Sequence, residues 1–344
     1  MGASIDGVRW AIKQKTGVGW GCLALSEGKT PLDDFSPSGY DKSQIFSPQE
    51  GKTFRLRSVD FHIHLYPPEI IRDAESISRL EPYFDALTHN RVHKWATVED
   101  LLARMERDDV ERAVVGGFAF QDLGLCRICN DYIIDAVEKY PDKLSGLCLV
   151  PPLARGAEAE VFRCAEAGLL GVGELFPEGQ NIDIADRDQT WRLAGILHEA
   201  NLCVLWHTAE PVGHAYVGKG NVGPKEAAAF CMNHPEVKTI FAHLGGGLWL
   251  YELMPEMRLY LRNARYDLAA LPWLYEPAVL RTIESAGVAH KFLMGTDFPI
   301  LDSSRYERIF AASGAAPEVL ERIARGNGLE FLASLGRNGR GVQY

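Results

Sequence analysis

Eight short apolar runs recur along this chain, and the first, fourth, fifth, sixth and eighth end on or beside a histidine or an acid. The runs are Leu56–His62, Arg112–Phe118, Leu144–Val150, Leu169–Leu175, Leu202–His207, Val237–His243, Ala264–Leu268 and Lys291–Asp297. Amphipathic stretches separate them: Thr97–Asp109, Arg127–Lys139, Glu158–Ala167, Asp188–Ala200, Pro224–Asn233, Glu276–Ser285 and Tyr306–Ala312. Thr97 followed by Glu99 and Asp100 reads as a helix cap with acids in the first turn. Strands alternating with helices at this spacing predict βαβ units and a parallel sheet. Eight such units predict a TIM-like (β/α)8 barrel with an N-terminal extension. The alternative is an open doubly wound sheet, which more often uses fewer strands and an early glycine-rich turn. No GxGxxG follows the first run.

The chain has 344 residues. They divide into an N-terminal arm over 1–54, a barrel over 55–335 and a tail over 336–344. The arm is rich in Gly, Ser, Lys and Pro, with Trp10 and Trp20 as candidate anchors. The first strand-to-helix connection, Leu65 to Ala96, is long, and on a barrel it would enclose the substrate.

Lys and Arg number 36 against 46 Asp and Glu, a formal charge of −10. Binding phosphates needs a basic surface, so this balance argues against a nucleic-acid partner or an anionic membrane. No apolar stretch reaches transmembrane length. Ala11–Lys15 interrupts any signal-peptide core. The seven cysteines are an odd number and several lie in apolar runs, which suits reduced thiols in a cytoplasm.

The sharpest local signal is Val59-Asp60-Phe61-His62-Ile63-His64. Residues two apart on a strand share a side, so His62 and His64 converge at the end of the first strand. Alone, His-x-His is weak, because two half-buried histidines would look the same. The pattern gains force by repetition. His207 ends the fifth run, His243 the sixth and Asp297 the eighth, where barrels place catalytic residues. Neutral imidazoles suit Zn, Fe, Mn or Ni. Glu174, in Gly171-Val172-Gly173-Glu174-Leu175, is costly to bury unless paired or metal-bound. It either bridges two metals, orients a ligand histidine or binds substrate. Asp60 is read as facing the other side of the strand in a structural role.

These residues resemble the amidohydrolase superfamily, and within it the amidohydrolase-related family that includes aminocarboxymuconate-semialdehyde decarboxylase. Asp60-Phe61-His62-Ile63-His64, His207, Ala242-His243-Leu244-Gly245-Gly246-Gly247, Gly295-Thr296-Asp297-Phe298-Pro299 and Asn327 carry the resemblance, which spans 56 to about 334. It implies that His62, His64, His207 and Asp297 hold a divalent metal. His243 would be a further ligand or a cationic group beside the metal-bound water. Glu174 departs from the decarboxylases and is more similar to the bridging acid of binuclear hydrolases. The cofactor is expected to be one or two divalent ions, zinc first, with Mn, Fe or Ni also accommodated.

The leading expectation is therefore a metal-dependent hydrolase of a small molecule. A metal lowers the pKa of bound water towards about 7, Asp297 serves as ligand and proton shuttle, and His243 polarises the scissile bond. The alternative is a non-oxidative decarboxylase of an aromatic or unsaturated carboxylic acid, and a third reading is a barrel without turnover. Tyr66, Glu210, His214 and Trp249 are candidates for contacting substrate, against core packing or a solvated loop. Lys219 is weighed likewise, and His89, Arg91 and His93 as binders of an anionic substrate. Cys126-x-x-Cys129 is read as packing. Gly245–Gly247 is either an anion cradle or a close turn. His198 and His234 are read as surface residues. The partners expected are a small-molecule substrate and a second copy in a homodimer.

Overall fold

The computed structural model describes residues 57–336. The expected arm, with Trp10 and Trp20, and residues 337–344 of the tail lie outside the described residues.

The strands are β1 (Ser58–His64), β2 (Val110–Gly116), β3 (Leu144–Cys148), β4 (Gly171–Leu175), β5 (Cys203–Trp206), β6 (Lys238–Phe241), β7 (Ala264–Asp267) and β8 (Phe292–Leu293). They form one eight-stranded parallel sheet in chain order. The chain after β8 closes it onto β1: Phe61 N donates to Met294 O at 2.8 Å, Asp297 N to His62 O at 3.0 Å and His64 N to Phe298 O at 2.8 Å. The (β/α)8 expectation holds.

A barrel buries both faces of each strand, so its strands read as continuous apolar runs. The inner face carries Val59, Phe61, Val114, Leu147, Leu205, Ile240 and Leu293, packed with Phe331 and Leu332 of the helix Asn327–Ala333. The outer face packs against the surrounding helices through residues such as Ile63, Val115, Val172, Trp206 and Phe241. Burying each such large side chain contributes about 1.5–3 kcal/mol. The first of the expected helices runs over Val98–Arg107, with Thr97 and Asp100 closing a capping box.

All eight strands differ from the expected bounds by a residue or more, and β1 and β8 bear on the site. β1 starts later than Leu56 and extends through His64, because its pairing with β2 continues to His64↔Gly116. β8 is two residues long rather than running to Asp297. The strand ladder stops at Leu293, and Asp297 has φ 64°. The connection after β1 holds three short helices, Pro68–Arg72, Ala74–Ser78 and Pro82–Thr88. Glu81 pins it to the loop after β2, accepting from the amides of Gln121 at 3.0 Å and Asp122 at 2.8 Å.

Cys126, Cys129, Cys148, Cys164, Cys203 and Cys231 are buried free thiols. Among the described residues no helix is long and apolar enough to cross a membrane.

Candidate metal centre

Six side chains from five strand ends meet inside the C-terminal mouth of the barrel. They are His62 and His64 of β1, Glu174 of β4, His207 after β5, His243 after β6 and Asp297 after β8, all at most 8% exposed.

Strict alternation would put Asp60, His62 and His64 on one side of β1. The strand avoids this with a bulge: Asp60 pairs with Ala113 and Ile63 with Val115, so three steps of β1 match two of β2. Phe61 joins the interior core, both histidines reach the centre, and Asp60 meets Arg104 of the Val98–Arg107 helix at 2.8 Å. Glu174 is placed by close strand approach. Gly173 has φ 134°, and a Cβ there would lie 2.4 Å from Leu205 O of β5, so only glycine fits. His243 and Asp297 both have positive φ, 56° and 64°. For residues with side chains that conformation is strained and is held by its surroundings.

The donor atoms form two sets with Glu174 between them. On one side His62 Nε2 lies 3.1 Å from His64 Nε2, and Glu174 Oε2 lies 3.2 Å from the first and 3.3 Å from the second. Asp297 Oδ1 is 3.7 Å from His62 Nε2 and 3.6 Å from His64 Nε2. On the other side Glu174 Oε1 lies 3.0 Å from His207 Nδ1 and 3.5 Å from His243 Nε2, and those nitrogens are 3.1 Å apart.

The outer nitrogen of each ring determines what the inner one can be. His62 Nδ1 donates to Asp267 Oδ2 at 2.8 Å, and His64 Nδ1 to Gly117 O at 3.0 Å. His243 Nδ1 donates to Ala269 O and His207 Nε2 to Lys219 O, each at 3.2 Å. Carboxylates and carbonyls only accept, so each ring keeps a proton on its outer nitrogen, and the inner nitrogen is the one that would offer a lone pair to a metal ion. Four ring nitrogens and two carboxylates crowd one centre, which draws positive charge to it.

Two ligands about 2.1 Å from one tetrahedral ion sit about 3.4 Å apart, and the separations around His62, His64, Glu174 Oε2 and Asp297 match this. The electrostatics agree. Burial disfavours a charged His62, yet Glu174 and Asp267 outweigh it and raise its pKa well above the ordinary histidine value. Burial is likewise overcome at His243 by Glu174 and then Asp297, raising it to about 9. Burial also opposes ionisation of Glu174, but His62 and His207 hold its carboxyl well below the usual range. The residues fit a divalent metal.

The substrate candidates separate in space. Tyr66 is buried, with its ring edge-on to Trp95 at 4.8 Å and to His93 at 5.6 Å. Burial and then the charge of Asp297 push its hydroxyl pKa up. Glu210 is half-buried, and its Oε1 has no hydrogen-bond partner. His214 is exposed beside Tyr216. Trp249 is buried against Phe292 in the layer outside the strands. Lys219 Nζ is tied to Val212 O at 2.7 Å. Gly246 is a close-approach position, since a Cβ would lie 2.3 Å from Ala209 O. Cys126 and Cys129 are packed thiols whose pKa burial raises. One expectation is corrected: His234 is a core residue, 5% exposed and bonded to Thr190 Oγ1 at 2.8 Å, because Thr190 and the Phe230 ring, 5.2 Å away, pack over it.

Two residues at the site escaped the sequence reading. Asp267 ends β7, and its Oδ1 also accepts from the amides of His243 and Ala269, each at 2.9 Å. A sixth polar strand end in Arg265-Tyr266-Asp267 was available as a signal. Phe176 stacks on His64 at 6.2 Å and edges His207 at 5.7 Å. Nothing in the sequence separates it from the other core phenylalanines.

Solved structures share this fold at low identity. The structure of 2,6-dihydroxybenzoate decarboxylase with 2,6-dihydroxybenzoate aligns at TM-score 0.59 and 18% identity, over 80% of this chain and 99% of that one. The 5-carboxyvanillate decarboxylase of Sphingomonas paucimobilis aligns at 0.62 and 14%, over 80% and 98%. That of Novosphingobium aromaticivorans, complexed with manganese, aligns at 0.62 and 16%, over 82% and 97%. No curated protein matched the chain. The model of a family described as amidohydrolase matches residues 59–333, the whole barrel with its histidines and acids, and the protein therefore belongs to the amidohydrolase family.

Proposed function

We propose that this protein is a metal-dependent hydrolase acting on a small, uncharged acyl or lactone substrate. One observation carries the reading: Glu174 lies between the two donor sets and turns one carboxylate oxygen to each. His62, His64, Glu174 and Asp297 would hold one ion, and His207, His243 and Glu174 offer donors for a second. Zinc suits this mixed histidine and carboxylate set best, and manganese is the first alternative.

When bound, the metal supplies an acidified water and polarises a substrate oxygen. Asp297, whose side chain is 12% exposed against 2% for Glu174, is the carboxylate turned towards the mouth. It accepts the water proton and returns it to the leaving group. With one ion bound, His243 is protonated on both nitrogens, stands beside Glu174 and donates a hydrogen bond to the oxygen on which negative charge develops. Tyr66 and Phe176 wall the mouth and exclude bulk water.

Charge balance favours a neutral substrate. With one divalent ion bound and His243 protonated, the carboxylates of Glu174, Asp297 and Asp267 cancel the positive charge, leaving no surplus to hold a substrate carboxylate. The second reading, decarboxylation of an aromatic acid, is favoured by the structural neighbours, since all three named above are decarboxylases of such acids.

The test is a panel of lactones, esters and anilides beside hydroxylated benzoates, run on zinc- or manganese-loaded protein in 18O water. Hydrolysis puts one 18O into the product acid. Release of CO2 from a benzoate, with no labelled acid from any ester or lactone, would replace the first reading with the second.

A further inference from the structure

We infer that Asp60 is a positioning residue for the metal centre, a single buried carboxylate that holds the two ligand-bearing segments of the barrel seam in register. The inference rests on reading His62, His64 and Asp297 as ligands. It assigns to a residue outside the cluster the task of setting their spacing.

The seam between β8 and β1 is where the barrel has the least regular pairing. β8 ends at Leu293, and β1 carries its bulge between Asp60 and Ile63. Yet the ligands His62 and Asp297 lie on the two sides of this seam. Their relative position depends on what joins residues 62–64 to residues 296–298.

Asp60 supplies that joint. Its side chain is fully buried, at 0% exposure. Oδ1 accepts from the amides of both His62 at 3.2 Å and Thr296 at 3.0 Å. Oδ2 accepts from the Thr296 hydroxyl at 2.6 Å and from Arg104 at 2.8 Å. One carboxylate thus grips the backbone of a ligand on β1 and the residue preceding a ligand after β8.

Arg104 braces it from behind. It is 2% exposed, donates its other terminal nitrogen to Ser303 Oγ at 2.7 Å, and lies 5.0 Å above the Phe298 ring. Phe298 O in turn accepts from His64 N at 2.8 Å. The brace therefore reaches the backbone of both β1 histidines. A buried charge pair is weak evidence for net stability. Groups that orient metal ligands from behind commonly change metal affinity 10–100-fold when removed.

The experiment compares Asp60→Asn with Glu160→Gln, a buried carboxylate held by Arg163 and Asn130 away from the centre. Both lose one partner of a buried ionic network. Mn(II) is titrated into metal-free full-length protein and followed by electron paramagnetic resonance, with melting temperature measured alongside. We expect D60N to weaken Mn(II) binding at least about tenfold and to broaden the bound-ion spectrum. E160Q should bind within about twofold of the parent despite its own loss of melting temperature. D60N binding Mn(II) with parental affinity and line shape, whatever its melting temperature, overturns the inference. Should D60N not fold, Thr296→Val removes the hydroxyl bond alone; a threefold or greater loss of affinity supports the joint, and an unchanged affinity overturns it. Failure of the parent to bind Mn(II) would instead overturn the ligand assignment beneath both proposals.

Discussion

His62 Nδ1 donates to Asp267 Oδ2 at 2.8 Å, and the other oxygen of the same carboxylate accepts from the amide of His243 at 2.9 Å. One acid at the end of β7 thus orients the ring of His62, a candidate ligand on β1, and the backbone of a histidine on the far side of the centre. Asp267→Asn keeps the shape and frees His62 to choose the wrong tautomer. Metal affinity should fall about 10–100-fold, read by competition with a chelator. Affinity equal to the parent's would show that packing alone orients His62.

Glu174 should control how many ions the centre holds. Glu174→Gln replaces an acceptor-only group that faces four nitrogens with one that must point an NH2 at some of them. Plasma mass spectrometry of the variant should show metal content reduced to at most one ion per chain and activity down by two orders of magnitude or more. Parental stoichiometry and rate in E174Q would remove Glu174 from the ligand set. Chelating the parent should likewise abolish turnover and lower the melting temperature, since a ligand bound only to the folded state stabilises it.

Asp297 is proposed both to hold metal and to move a proton. Asp297→Asn keeps an oxygen donor and loses the proton acceptor. We expect kcat to drop about 10²–10⁴-fold with metal content largely retained, measured on the same preparation. A variant with unchanged kcat would hand the proton transfer to another group.

Acid should release a stabilising term at Glu160. This carboxylate takes hydrogen bonds from Arg163 at 2.6 Å, Asn130 at 2.8 Å and Arg127 at 3.1 Å. Burial opposes its ionisation, but Arg163 and Asn130 prevail and lower its pKa from 4.5 to about 2. A folded pKa below the unfolded one means the stability is fully present above about pH 4.5. It is lost as pH falls towards 2. Urea unfolding of the parent and of Glu160→Gln should therefore differ most near pH 6, with the difference shrinking below pH 4.5 and closing only as pH approaches 2. A difference that stays constant over that range contradicts the prediction.

The barrel was legible in the chain because periodicity is local. A strand covered on both faces must be apolar throughout, and eight such runs leave little choice of architecture. The candidate ligands were legible for a related reason, since a histidine or acid terminating an apolar run is expensive unless it has a purpose. His62, His64, Glu174, His207, His243 and Asp297, named from the sequence, stand together in space. Other features depend on distance across the fold. The bulge in β1 is a matter of register with β2, so the chain's own alternation could not say why Asp60 faces away from His62. That Asp267 serves His62 and His243 follows from barrel closure bringing β7 and β1 to the same rim. His234 looked like a surface residue on a helix, and only the packing of Thr190 against it made it core. Trp249 and Phe176 are both aromatic, yet one packs outside the strands and the other against the ligands. Composition and period determined the class of fold and the chemistry at the strand ends. Register, closure and side-chain packing, which act between residues remote in sequence, decided which partners orient that chemistry.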